Sequence, residues 1–162
     1  MKKNVAWTGM LTAMAILVSY IEFLIPIPFP IVGMKLGLAN VVVVVALYRV
    51  GEREAIGISM MRVVLVALLF GNLFSGMYAF AGAMSSVIAM IICKRLVEIS
   101  ILTNSIIGAM FHSVGQIIVA RVILQNKVVY TYLPMLLLIG ICTGGLVGVV
   151  AWEVLKRMSR KI

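Results

Sequence analysis

Most of this chain is apolar, and the residues that could do chemistry are a few polar side chains set within its apolar runs. Arg62 lies about midway along one run, and His112 and Gln116 are four residues apart in another, so that they share one face of a helix. An arginine at the centre of a bilayer costs about 2.5 to 3.5 kcal/mol, and such a side chain therefore faces a cavity or a partner. With a nearby lysine and amide side chains, these residues predict a cationic pocket that suits a small anion with an apolar body. The predicted ligand-binding residues are Lys35, Asn40, Arg62, Asn72, His112 and Gln116.

Several of these polar residues also have a purely structural interpretation. Arg62 could donate hydrogen bonds to backbone carbonyls or to a buried partner, His112 could be a hydrogen-bonded interior histidine, and Lys35 alone could anchor lipid head groups. Arg121 lies nine residues beyond His112, about two and a half helical turns, and so points to the opposite side. It either shares the pocket or reaches the outer head groups. Glu22, predicted near the outer end of the first helix, could pair with Arg62 or with Lys35.

The amino-acid composition indicates whether water or lipid surrounds this chain. Of its 162 residues, 64% are hydrophobic and 12% are charged, which is far from the composition of soluble domains. The length suffices for about six membrane spans of roughly 20 residues each. The 14 Lys and Arg residues are opposed by only five acidic residues, all of them glutamate, and the net charge is +9. Because the basic residues stand between long apolar runs, they predict a lipid bilayer rather than a nucleic acid as the partner.

Charge and turn signals divide the apolar sequence into six candidate helices, at about residues 5–25, 36–50, 55–70, 77–93, 102–124 and 132–155. With both termini in the cytoplasm, ten basic residues fall on the inner side and only Lys35 and Lys127 fall in outer loops, which agrees with the positive-inside rule. We therefore expect an all-α integral membrane protein, a single domain over 1–162 with six transmembrane helices. Alternating prolines forbid a helix over 26–30, and 26–33 is predicted to be an extended segment that gates the pocket.

The sequence lacks the residues that several kinds of catalysis require. There is no Gly-Lys dipeptide, so the phosphate-binding loop of an ATPase is missing. Without aspartate the chain cannot form the clustered carboxylates that hold magnesium against a diphosphate in prenyl transfer. Cys93 and Cys142 have no His or Cys partner at metal-ligand spacing. The sequence therefore predicts no catalytic site, no metal and no cofactor in this chain.

Two predicted helices carry a face of small residues, which lets another helix approach closely. In the sixth helix, Gly140, Gly144 and Gly148 recur at intervals of four residues. In the first helix, Gly9 and Ala13 have the same spacing. Either face could pack against another helix of this chain or dock a partner.

Three short motifs give the sequence a family resemblance. They are Lys-Leu-Gly-Leu-Ala-Asn at 35–40, Phe-Gly-Asn at 70–72 and His-Ser-Val-Gly-Gln at 112–116. In these motifs, and over about residues 5–155, the chain resembles the bacterial family called heptaprenyl diphosphate synthase component I, also named the Gx transporter family. The family usually has asparagine after the histidine, where this chain has Ser113. The family name implies a noncatalytic accessory subunit that partners the catalytic subunit of a prenyl diphosphate synthase.

A second, looser resemblance is to the substrate-binding S components of energy-coupling factor (ECF) vitamin transporters, which have about this size, six helices and a pocket near the outer face. It implies a bundle that captures a micronutrient and relies on a separate membrane scaffold and ATPases, in agreement with the missing phosphate-binding loop. The resemblances thus imply a substrate-binding subunit for uptake of a small anionic micronutrient or precursor across the bacterial plasma membrane. The alternatives are an accessory subunit of a heptaprenyl diphosphate synthase and a purely structural subunit of a larger membrane complex.

Overall fold

Six α-helices form the described part of the computed structural model, which covers residues 2–25 and 37–159, with side chains over 5–25 and 37–158. The ends of the helices lie within four residues of the predicted positions. Lys35 and the predicted gate at 26–33 lie outside the described residues. The helices are α1 (Lys2–Leu24), α2 (Asn40–Arg49), α3 (Glu52–Leu69), α4 (Leu73–Leu96), α5 (Ile101–Leu124) and α6 (Leu133–Ser159), with a 3-10 helix (Lys127–Tyr132) between α5 and α6.

Four helical stretches of the described chain are long and apolar enough to cross a membrane. The four stretches are Val5–Leu24, Leu73–Leu96, Ile101–Leu124 and Lys127–Met158. The ten residues of α2 are apolar but too few for a hydrocarbon core of about 30 Å, since each helical residue rises about 1.5 Å. The first turn of α3 is charged and contains Glu52 and Glu54. The protein is thus an all-helical integral membrane protein, as predicted.

Large apolar side chains cover the outside of the bundle, and smaller ones fill its interior. Leu68, Leu73 and Leu138 are all strongly exposed, whereas the buried positions are mainly alanine, valine, glycine and serine. In α2 every side chain over 42–47 is buried, because a helix that is apolar all round is enclosed by other elements. The short α2 therefore contributes much of the main core cluster.

From α3 to α6, helices that follow one another in the chain run in opposite directions, which gives the bundle two ends. At one end α3 turns into α4, and the Phe70 ring centroid lies 4.7 Å from that of Tyr20 in α1. We call this the Phe70 end. The opposite end, which we call the Arg49 end, contains the turn from α2 to α3 and an ion pair between Arg95 and Glu52. Hydrogen bonds from the Arg95 guanidinium lower the pKa of Glu52, so that this carboxylate stays ionised.

Glycine residues permit the close approach of α5 and α6. A Cβ added at Gly144 would lie 2.8 Å from Ala109 Cβ and 3.0 Å from the Ser105 carbonyl oxygen. Ser105 Oγ donates a hydrogen bond of 2.8 Å to the Gly144 carbonyl across the same contact. The glycine face of the sixth helix therefore packs inside this chain. On α1, by contrast, Gly9 and Ala13 are exposed, and no atom of the described residues lies within 4 Å of a Cβ added at Gly9.

Candidate ligand-binding cavity

A cavity lined by both polar and apolar residues opens between α1, α3, α4 and α5 in the half of the bundle near the Phe70 end. The space between these residues, with the open mouth included, is about 530 Å³. Three of the predicted ligand-binding residues, Arg62, His112 and Gln116, line this cavity together. Its wall also includes Ser19 and Glu22 of α1, Gly37, and Ser75, Gly76 and Ala79 of α4.

Arg62 brings a positive charge into this cavity. Its spacing from Ser59, Val63 and Val66 puts it on the buried face of α3, and it is only 7% exposed. Arg62 Nε has no hydrogen-bond partner among the described residues. The Glu22 carboxylate of α1 lines the same cavity, and its charge attracts the guanidinium. Because buried polar atoms are nearly always hydrogen-bonded, Arg62 Nε needs an acceptor beyond the described residues.

His112 and Gln116 reach the cavity because two glycines bring α5 close to α4. At Gly82 of α4 an added Cβ would lie 2.9 Å from His112 Nε2, so a side chain there would displace the imidazole. At Gly115 of α5 an added Cβ would lie 2.6 Å from the Ala81 carbonyl oxygen. Gln116 is buried, and His112 Nδ1 has no hydrogen-bond partner within the described ranges. The imidazole and the amide thus offer hydrogen-bonding groups beside the guanidinium.

Glu22 belongs to the cavity, although the sequence predicts it only as an ion-pair partner of Arg62 or Lys35. Its carboxylate accepts a hydrogen bond from the Gly37 backbone N–H and thereby connects the end of α1 with the residues just before α2. Glu22 and Gly37 both line the cavity with Arg62. The sequence does contain a signal for this position, since Glu22 stands within an apolar run. A buried carboxylate needs a cation or hydrogen-bond donors around it, and such a residue is therefore expected in a polar environment.

The other two predicted ligand-binding residues that the structure describes, Asn40 and Asn72, are not part of the described wall of this cavity. Asn40 lines a second, smaller cavity between α2, α4, α5 and α6, whose wall also includes Gly37. Asn72 is exposed, and its Oδ1 accepts a hydrogen bond of 2.8 Å from the Ser75 backbone N–H. It caps α4 rather than lining the described wall of the cavity, because the first N–H groups of a helix need acceptors. Arg121 is half-buried in the last turn of α5 and is not part of that wall either.

Asn72→Ala is expected to destabilise the protein by about 0.5–2 kcal/mol, the usual cost of losing such a cap, and to leave ligand binding unchanged. Serine can still accept the hydrogen bond, so Asn72→Ser should retain most of the stability. Thermal unfolding in mild detergent and ligand titration of both variants check this expectation. Weaker binding by Asn72→Ala with unchanged unfolding would instead make Asn72 a ligand contact.

The fold is that of a helical membrane bundle, and its cavity brings a guanidinium, an imidazole and an amide together. In structure the chain is similar to a protein described in "Structure and mechanism of the S component of a bacterial ECF transporter", with 20% identical residues and a TM-score of 0.77. The similarity covers 98% of this chain and 96% of that chain, so the two share a fold. The sequence profile of heptaprenyl diphosphate synthase component I matches residues 11–154, and the chain belongs to this family. Both predicted resemblances are thus confirmed, while no curated protein matches the sequence.

Proposed function

We propose that this protein is the substrate-binding subunit of a bacterial uptake system and captures a small anionic micronutrient or precursor. The observation that carries the proposal is the cavity in which Arg62, His112 and Gln116 meet, within a fold like that of an S component. A chain without a phosphate-binding loop does not itself couple ATP hydrolysis to uptake. The proposed energy source is therefore a set of ECF-type partners, a membrane scaffold with its ATPases.

In this proposal all six helices lie in the bacterial plasma membrane, with both termini in the cytoplasm. Lys35 and Lys127 are then the basic residues of the outer loops. The short α2 is compatible with this arrangement because protein rather than lipid surrounds it. The ion pair of Glu52 with Arg95 would lie at the cytoplasmic head groups. The cavity, which is near the Phe70 end, would then open to the outside, where a nutrient arrives.

The cavity suits a ligand that combines one anionic group with further hydrogen-bonding groups. The planar guanidinium of Arg62 matches a carboxylate or a phosphate, and His112 and Gln116 can hydrogen-bond to neighbouring polar groups. Lys35 lies two residues before Gly37 of the described wall in the sequence, and it is the proposed second cation. Glu22 offsets part of the positive charge, and so favours a ligand with one negative charge over one with several.

The proposed docking surface for the membrane scaffold is the face of α1 that exposes Gly9 and Ala13. Gly9→Leu is expected to leave folding unchanged, because an added Cβ meets no described atom within 4 Å, and to reduce recovery of the partners about tenfold or more. Gly145→Leu on α6 is the matched control, since an added Cβ is equally unobstructed there. Quantitative mass spectrometry of the purified complexes measures both variants. An equal loss in the two would argue against docking through α1.

A second candidate function, a noncatalytic accessory subunit of a heptaprenyl diphosphate synthase, is favoured by the family to which the chain belongs. Purification of the tagged protein at natural abundance from native membranes, followed by mass spectrometry, separates the two functions. A membrane scaffold with its ATPases is the expected result for uptake. Recovery of an aspartate-rich soluble synthase subunit without ATPases would contradict the uptake proposal and support the accessory subunit.

A further inference from the structure

The cavity between α1, α3, α4 and α5 contains a negative charge as well as a positive one. Arg62 of α3 and Glu22 of α1 both line it, and both residues are buried. Because the two side chains come from different helices, each forms its own part of the wall. A wall with a cation in one part and an anion in another is complementary to a ligand that also carries two kinds of polar group.

The Glu22 carboxylate is held in place and can still accept further hydrogen bonds. Its Oε1 accepts a hydrogen bond from the Gly37 backbone N–H, just before α2 begins. The two oxygens of a carboxylate have about four lone-pair sites, so neither this bond nor the attraction of Arg62 uses up their capacity. Ser19 is three residues earlier on the same face of α1 and lines the same cavity. The α1 part of the wall therefore offers acceptors to a ligand.

The guanidinium of Arg62 has the opposite chemistry. It has N–H donors and no acceptor, and its Nε has no partner among the described residues. An anionic group that binds there lies in the same small space as the Glu22 carboxylate, and the two like charges repel each other. A ligand whose own donor points at Glu22 replaces this repulsion with a charge-assisted hydrogen bond.

We infer that the ligand carries a hydrogen-bond donor, a hydroxyl or an ammonium group, beside its anionic group, as hydroxy acids and amino acids do. The anionic group binds Arg62, and the donor binds Glu22. The inference rests on the proposed function, because it needs an anionic group at Arg62. It narrows the substrate class from anions in general to compounds that have a donor next to the anionic group.

Two sets of small probes of matched size test this inference. Propionate, racemic lactate and racemic alanine differ only in whether the carbon next to the carboxylate carries hydrogen, a hydroxyl or an ammonium group. Ethyl phosphate, 2-hydroxyethyl phosphate and 2-aminoethyl phosphate form the corresponding set for a phosphate. Each probe is titrated against the full chain in lipid nanodiscs, and saturation-transfer NMR of its carbon-bound protons gives the dissociation constant. Arg62→Leu shows which part of the binding depends on the guanidinium.

At least one probe with a donor should bind about tenfold or more tightly than the probe of its set without one, because hydrogen bonds to charged groups are the stronger ones. Whether the hydroxyl or the ammonium probe shows this preference distinguishes a hydroxy acid from an amino acid. The comparison within the unmodified protein decides by itself should the variant described next not fold.

Glu22→Gln keeps the shape of the side chain and removes its charge. It should reduce the preference for the donor to about threefold or less, because the remaining hydrogen bond is to a neutral group. Binding of propionate or ethyl phosphate should stay the same or become tighter, since the repulsion is gone. Glu98→Gln is the matched control, because Glu98 is exposed and not part of the described wall of the cavity. It should change every affinity by no more than about a factor of two.

Three results would overturn the inference. Arg62-dependent binding that is equally tight with and without a donor would reject the donor and leave the proposed anion site standing. A preference for the donor that Glu22→Gln leaves intact would show that Glu22 is not its acceptor. No Arg62-dependent binding of any of these probes would overturn the inference and the proposed function together.

Discussion

Arg62→Leu is expected to weaken ligand binding about 10- to 100-fold while the protein stays folded. The leucine removes the hydrogen bonds that the guanidinium offers to an anion, and hydrogen bonds to charged groups contribute about 1.5–3 kcal/mol. Folding should persist at some cost in stability: Arg62 Nε has no described partner to lose, and the Glu22 carboxylate, which loses the attraction of the guanidinium, keeps its hydrogen bond from the Gly37 N–H. Mass spectrometry of the small molecules retained by the purified protein identifies the ligand. Titration with that ligand then gives the affinities of the unmodified protein and of Arg62→Leu.

Arg121→Leu is the matched control for this experiment. Arg121 also lies within a predicted span, but it is not part of the described wall of the cavity, so its replacement should change the affinity by no more than about a factor of two. Arg62→Lys separates charge from shape, because lysine keeps the charge without the planar group that matches an anion. If Arg62→Leu unfolds in mild detergent while Arg121→Leu does not, Arg62 has a structural role and the proposed pocket loses its main support.

Gly144→Val is expected to destabilise the protein by about 1–3 kcal/mol, the usual cost of overpacking, or to prevent folding altogether. A Cβ at this position would lie 2.8 Å from both Ala109 Cβ and Ile106 Cα, and a backbone atom cannot move aside as the end of a flexible side chain can. Separation of α5 from α6 would also break the hydrogen bond from Ser105 Oγ to the Gly144 carbonyl. Thermal unfolding in detergent, with size-exclusion chromatography to follow the folded fraction, measures the effect.

Gly145→Val is the matched control for this contact. Gly145 is the next residue of the same helix, yet an added Cβ there meets no described atom within 4 Å. Both variants change helix propensity by the same amount, whereas only Gly144→Val places atoms between two helices. Equal destabilisation by the two would therefore show that propensity, and not the contact of α5 with α6, is the cause.

Much of the fold follows from the sequence alone. Apolar runs near the length of a membrane span can satisfy their backbone in lipid only as helices, and six α-helices lie close to the predicted positions. The same reasoning identifies Arg62 as an exception that needs a polar environment. The spacing of His112 and Gln116 predicts a shared helix face, and both residues line one cavity.

Only the tertiary structure decided which polar residues meet. Asn72, predicted in the pocket, serves as the cap of α4, and Glu22 enters the cavity because it accepts a hydrogen bond from Gly37. The sequence shows a small face on both α1 and α6, but packing alone distinguishes the internal contact of α6 from the exposed surface at Gly9. The physical reason is that helices apolar on every side carry no pattern that says which face turns inward. Contacts between residues far apart in the chain then depend on how the helices cross, which no single helix sequence specifies.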